Sequence, residues 1–301
     1  MGIVTGKEGI SAKVILDSIS RDNVRITTLE LEYPRFIHSE LMTHRMLSKN
    51  CASSRAIPVE RVLEQIRDNP AMPVWWGKNQ PGMSAKEELT GGELELARQG
   101  WIESAKQAAW FAKSLMDNGL HKQITNRITE PWQRMKTVIT GTEWTNLLWL
   151  RDHEDAQPEF GELAKCITKA FNYSEPRHTF AGSWHLPYVE SIPTCDDTFL
   201  YYNGPDLISL EDAKKVSASC CAQVSYRRLD DTLEKAKLVY DRLVSASRVH
   251  ASPFEHQATP ILPSDKLGTP GVTHITENSV WSGNFRGWIQ HRQLIKGHSV
   301  W

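Results

Sequence analysis

The chain has 301 residues, 40% of them hydrophobic and 24% charged. That balance suits a domain with a sizeable core and argues against intrinsic disorder. Lys and Arg total 35 against 36 Asp and Glu, a net charge of -1. This excludes a general polycation for nucleic acid and a basic membrane-surface protein, while allowing a local phosphate site. Val14, Ile15 and Leu16 lie in a short apolar run that reads as a strand. Leu29, Leu31 and Tyr33 alternate with Glu30 and Glu32, the period of a half-buried strand. Pro34 suits a first helical turn, and Phe36, Ile37, Leu41 and Met42 give an apolar face continuing to Leu47. Pro58 begins another helix, with Val62, Leu63 and Ile66 inward. Residues 69–92, rich in Pro and Gly and holding Trp75 and Trp76, read as an ordered loop. A long helix is predicted over 93–117, ended by Asn118-Gly119, followed by helical stretches over 131–150 and 155–171. Residues 174–210 read as irregular, and helices resume over 210–224 and 230–246. The tail from Ala258 reads as strand, loop, strand and a short helix from Asn284. The mixture predicts an α+β fold, with helices over a mainly antiparallel sheet.

The five cysteines (Cys51, Cys166, Cys195, Cys220, Cys221) are odd in number and lack a framework spacing. They fit reduced thiols. No CxxC pair is present, which argues against structural zinc. No apolar run reaches the ~18 residues of a membrane span. The opening MGIVTGKEGISAKVIL has no signal-peptide core, so the expected location is cytoplasmic. Trp and His, 11 each, are unusually frequent, as for an aromatic core or flat ligands.

The segment from Thr43 to Arg55 holds two arginines, a histidine and three serines within thirteen residues, leaving a helix for a polar loop. Forked guanidinium donors, hydroxyls and loop amides make an anion cradle. A solvated helix end with capping serines is the plain alternative. A second group follows in Arg127, Asn146, Arg151, Asp155, Ala156, Gln157 and Glu159. On a helix, Asn146 and Arg151 stand about one and a half turns apart. A surface salt bridge from Arg151 to Asp152 or Asp155 is the alternative there. A third group is His250-Ala251-Ser252-Pro253-Phe254-Glu255-His256, preceded by Ala222-Gln223-Val224-Ser225-Tyr226. Its two histidines have no third partner at metal-ligand spacing, so no metal is expected.

Together these groups resemble the flavin-dependent thymidylate synthases, the ThyX family. Its signature R-H-R-x-x-S-x-N-E-x-S-x-R is matched at His44, Arg45, Ser48, Asn50, Ser53 and Arg55, with Thr43 and Cys51 replacing its first Arg and its Glu. The second group is similar to the family's Arg, Asn, Leu-Arg and D-x-H-A-Q-x-E series, with Thr140 and Thr142 standing where the family has Asn and Arg. The third resembles H-x-[ST]-P-F-E-H. In the family that block precedes R-H-R, whereas here it lies about 195 residues after it. Asn284-Phe285-Arg286-Gly287-Trp288-Ile289-Gln290-His291-Arg292 resembles a degenerate second copy of the entry into R-H-R. The chain therefore looks like a divergent, permuted, phage-type member. It reads as one catalytic unit over 1–301, with the first two blocks in 1–175, an irregular connector over 176–210 and the third block in 211–301.

The resemblance implies reductive methylation of dUMP to dTMP, with FAD as cofactor and NADPH and methylenetetrahydrofolate as co-substrates. It implies a homotetramer in a bacterial or phage-infected host cytoplasm, with no direct DNA binding. By the same resemblance, FAD contacts fall at His44, Arg45, Ser48, Asn50, Asn146, His250 and Ser252. Ser53, Ser54, Arg55 and Arg127 would hold the dUMP phosphate and sugar. Arg151 would touch the uracil edge, making Arg151 and His44 the catalytic residues. Glu40 stands where the family has Gln and would face the nucleotide. The family works without a cysteine nucleophile, so Cys51 reads as a packed residue rather than a nucleophile. Glu40 and Cys51 leave open a dCMP substrate or hydroxymethylation. The lost motif positions leave open a non-catalytic nucleotide-binding protein.

Overall fold

The structure is a computed structural model that describes residues 2–224, 229–245, 247–276 and 279–299. Its strands are β1 (Ile3–Thr5), β2 (Ser11–Ile19), β3 (Arg25–Pro34), β4 (Ser48–Cys51), β5 (Arg134–Gly141) and β6 (Arg177–His178), then β7 (Glu190–Pro193), β8 (Phe199–Asn203) and β9 (Asp206–Ile208). Near the C-terminus follow β10 (Ala258–Pro260), β11 (His274–Thr276), β12 (Ser279–Ser282), β13 (Phe285–Arg286) and β14 (Trp288–Gln290). The α-helices are α1 (His38–Thr43), α2 (Val59–Asp68), α3 (Gly91–Asp117), α4 (Lys122–Thr125), α5 (Thr145–Arg151), α6 (Pro158–Asn172), α7 (Leu210–Ala222) and α8 (Leu233–Val244).

The main sheet runs β1-β2-β3-β5-β4 with antiparallel pairing, and β6 joins β2 in parallel. Leu29, Leu31 and Tyr33 alternate along β3 and are all fully buried. They register with Ile139, Thr137 and Met135 of β5. Phe160, Leu163 and Ile167, at helical spacing on α6, join Ile10, Ala12 and Val14 to close this core. Each of the larger side chains among them, taken from water, contributes about 2 kcal/mol. α3 buries only Ala105, Ala108 and Ala112, small residues that let it lie close against α2. Among the described residues no helix is long and apolar enough to cross a membrane.

The α+β expectation holds, as do the helices near 59, 91, 158, 210 and 233. Other local expectations are corrected. The stretch 131–150 is not one helix. Thr137, Val138, Ile139 and Thr140 form a β-branched run, and β-branched side chains favour a pleated strand, so β5 occupies the sheet interior; Pro131 and Trp132 end a 3-10 turn and only 145–151 is α-helical. Residues 48–51, expected as loop, form an edge strand on β5. Pro34 ends β3 and, as expected, precedes helical turns: it caps a 3-10 turn over Arg35–Ile37 that runs into α1. Part of 174–210 folds as the sheet β7-β8-β9. No helix starts at Asn284: β13 and β14 intervene, turning at Gly287 with φ +71, where a Cβ would sit 2.9 Å from Val24 Cγ2. Trp288 is fully buried there and donates its indole N–H to Val24 O. Helix α8 stops at Val244, and residue 246 lies outside the described residues. Of the A-A-R-V-S-Y-like stretch, Ser225 and Tyr226 also lie outside them.

Candidate functional site

The first two motif blocks meet at a hydrogen bond. His44 caps the short α1, and Arg151 ends α5, which the turn after β5 brings back over α1. Arg151 Nε donates to His44 Nε2 at 3.0 Å, and Arg151 NH1 donates to Glu40 Oε2 at 2.9 Å. The guanidinium lies over the Phe160 ring at 4.6 Å, and the same ring meets His44 edge-on at 5.6 Å. Three groups thus hold Arg151: an imidazole, a carboxylate and an aromatic face. Because His44 Nε2 accepts, its imidazole is neutral with the proton on Nδ1. Its pKa is pushed down to about 4, first by burial and then by Arg151 and Lys49. The Arg151 NH2 edge meets no protein acceptor among the described residues. The alternative pairing of Arg151 with Asp152 or Asp155 is not made; Asp155 lies near His153 instead.

The third block and the C-terminal segment come to the same edge. Pro253 and Phe254 are buried and anchor the turn, while Ser252 and His250 are exposed. A cavity of about 390 Å³ opens beside it, lined by Arg45, Lys49, Glu255, Asn284, Gln290 and Arg292 among others. Ser48 does not line it. Its hydroxyl is buried, accepting from Gln290 Nε2 at 3.1 Å and donating to Asn284 Oδ1 at 3.2 Å. Asn50 donates to Cys221 O at 3.0 Å and joins β4 to α7. Lys49 Nζ donates to the carbonyls of His44 and Leu47 at 2.5 and 2.8 Å.

The expected phosphate residues form a separate group. Asn126 is buried and donates to Ser54 O at 2.7 Å and Ile57 O at 3.0 Å. Those bonds tie the Ser53–Arg55 loop to the segment carrying Arg127. Ser54 is buried, while Arg55 and Arg127 are exposed. Arg127 donates to Gln123 O at 3.2 Å, with Glu130 at 3.9 Å. Ser53 Oγ accepts from the Arg55 amide at 3.3 Å. Asn146 is exposed on α5, near Arg151 in sequence. Burial pushes the Cys51 thiol up, which suits a packed residue better than a nucleophile. Lys49, Asn284, Gln290 and Arg292 were not expected at the site. Arg292 carried a signal, as part of the second motif copy; Lys49 fell on an unspecified motif position.

No protein-family model matches the chain, and no curated protein matches it. Among solved structures it is similar to thymidylate synthase X (ThyX) from Helicobacter pylori with FAD and dUMP. The identity is 18% and the TM-score 0.34, over 48% of this chain and 67% of that one. A likeness this weak says nothing about chemistry, which rests on the motif residues and their geometry.

Proposed function

We propose that the chain is a flavin-dependent thymidylate synthase of the ThyX type, converting dUMP to dTMP with methylenetetrahydrofolate and NADPH. The observation that carries this reading is the Arg151–His44 hydrogen bond. It joins residues 107 apart in two motif blocks, and it leaves one guanidinium edge without a protein partner among the described residues. Arg151 then binds the edge of the pyrimidine and stabilises negative charge developing on the ring. His44, neutral and buried, orients that guanidinium without adding a competing charge. Arg55 and Arg127 hold the nucleotide phosphate, and Asn126 positions the loop that carries Arg55.

The donor set fits FAD. Arg45, Lys49 and Arg292 supply cations at one cavity, with the Asn284 side chain beside them. His250 and Ser252 stand on the adjoining turn, and Asn146 about one and a half turns before Arg151. Bound FAD would supply the hydride for the reductive step. A homotetramer is part of the proposal.

A second reading, dCMP methylation or pyrimidine hydroxymethylation, is favoured by the Glu40–Arg151 ion pair at 2.9 Å. A carboxylate beside the guanidinium accepts N–H donors and weakens the cation's pull on the ring. The first reading is tested by tritium release from 5-tritiated dUMP in the presence of FAD, NADPH and methylenetetrahydrofolate. Release that needs all three supports it. A colourless protein that takes up no FAD, with no release, contradicts it.

A further inference from the structure

Five polar side chains form an unbroken line between the main sheet and the third motif block, and the proposed reaction uses none of them. Ser18 on β2, Thr28 on β3 and Thr140 on β5 are fully buried, and so are His185 and His256. Thr28 and Thr140 stand opposite each other in the sheet. Ser18 Oγ lies 2.9 Å from His185 Nδ1, and His185 Nε2 lies 2.9 Å from Thr28 Oγ1. Thr28 Oγ1 meets Thr140 Oγ1 at 2.7 Å, and Thr140 Oγ1 meets His256 Nδ1 at 2.8 Å. The line ends there: His256 Nε2 is sealed from solvent and meets no partner among the described residues. The backbone holds both rings in place, since His185 N donates to Ala258 O at 2.7 Å and Ala258 N donates to His185 O at 3.2 Å.

Burial, joined at His185 by the nearby Arg177 charge, keeps both imidazoles neutral: His185 falls well below its ordinary 6.5, and His256 falls to about 3. A neutral imidazole carries one N–H, and a hydroxyl carries one O–H. Five groups therefore offer five protons to four links, and one proton lies outside the line. If a hydroxyl holds it, that O–H and the bare His256 Nε2 are both left unpaired. If His256 holds it, its Nε2–H alone is unpaired. An unpaired buried polar group is costly, so the second arrangement wins. The Arg177 charge beside His185 favours the same direction, with protons displaced toward His256. We propose that the five groups act as one directed relay: Ser18 donates to His185, His185 to Thr28, Thr28 to Thr140 and Thr140 to His256. Both imidazoles are then Nε2–H tautomers. Thr28 and Thr140 are positioning residues for His256: they fix its ring and leave it a permanent N–H donor within the third block. Glu255, the residue before it, lines the cavity of the candidate site, so the relay ties that wall to three strands of the main sheet. The relay does not depend on the functional reading above.

The test is magic-angle-spinning NMR of the full-length chain carrying nitrogen-15 histidine at neutral pH. The two rings are assigned by the loss of their signals in His185→Gln and His256→Gln. Wild type shows both rings neutral with the proton on Nε2. Thr140→Val, which keeps the side chain's shape and removes its hydroxyl, shifts the His256 Nδ1 signal, and Thr140→Ser restores it. Ser18→Ala acts at the far end of the line and still shifts the His256 signals, because linked hydrogen bonds polarise one another. Ser20→Ala is the control: its hydroxyl accepts from Val24 N, off the line, and its loss leaves His256 unmoved. A charged ring or an Nδ1–H tautomer at either histidine of the wild type overturns the proposal. So does a His256 signal that Ser18→Ala leaves in place, or that Ser20→Ala moves equally. None of these readings needs a nucleotide, so a chain that gives them but releases no tritium from dUMP keeps the relay and loses the synthase reading.

Discussion

Arg151 matters through the N–H groups that are already taken. His44 holds Nε–H, Glu40 holds NH1, and Phe160 supports the plane. A guanidinium restrained this way loses little freedom when it meets a substrate, which is where preorganised charge acts in catalysis. Arg151→Ala should lower kcat on the order of 10²–10³-fold with a smaller change in nucleotide affinity. Steady-state kinetics check this, and an unchanged kcat contradicts the role. Arg151→Lys should recover little, since an ammonium cannot satisfy both His44 and Glu40 in one plane. Glu40→Gln keeps a hydrogen-bond acceptor and removes the countercharge. It should raise turnover on dUMP relative to dCMP, measured by parallel assays; an unchanged ratio means that Glu40 does not set base choice. His44, Arg151 and Glu40 could all be found by motif spacing. The bond between His44 and Arg151 could not, because spacing says nothing about which atoms meet.

At the scale of elements, the site depends on β5. That strand registers against β3 on one side and β4 on the other, and its exit turn launches α5 toward α1. Gly141 ends it, where a Cβ would sit 2.2 Å from Leu47 Cδ2. Gly141→Ala should therefore push Leu47 out of the core and cost about 1–3 kcal/mol, read as a lowered denaturation midpoint. An unchanged midpoint would mean that Leu47 repacks freely. Asn126 is the equivalent tie for the loop bearing Arg55. Asn126→Ala leaves two carbonyls without their donor and should raise KM for dUMP with kcat changed less. A fall in kcat alone would contradict that. These elements were only partly legible. The long α3 and the amphipathic α6 have helical periods that a sequence declares. β5 was hidden because Pro131 and the helical run WTNLLWLR flank its β-branched residues, so one period was read across two elements. β4 and β7–β9 are three to five residues each, too short for a period to emerge.

For the whole molecule, folding restores a proximity that chain order conceals. The third block and the C-terminal segment lie far from the first block in sequence, yet Gln290 bonds to Ser48 and Glu255 shares a cavity with Lys49. Pattern reading found the blocks and their altered order; it did not assign the C-terminal copy, whose partners are set only by tertiary contact. The abundant histidines have a global consequence. Burial lowers His44 and His291 to about 4 and His256 to about 3, from an ordinary 6.5, and holds His185 well below that value. Between those values the unfolded chain takes up protons that the native chain refuses. Stability is therefore complete above about pH 6.5 and falls as the pH drops toward 4. Thermal melts at pH 7.5 and 5 should show a clearly lower Tm at the acid value; equal Tm values would mean that these imidazoles are charged in the fold.

The central claim, reductive methylation of dUMP at a site organised by Arg151, is tested most directly by mass spectrometry of the products. Full-length protein is incubated in parallel with dUMP and dCMP, together with FAD, NADPH and methylenetetrahydrofolate. The account predicts dTMP from dUMP, formed only when all three are present and lost in Arg151→Ala. A product one oxygen heavier, a product from dCMP alone, or no product from either nucleotide with FAD bound would contradict it.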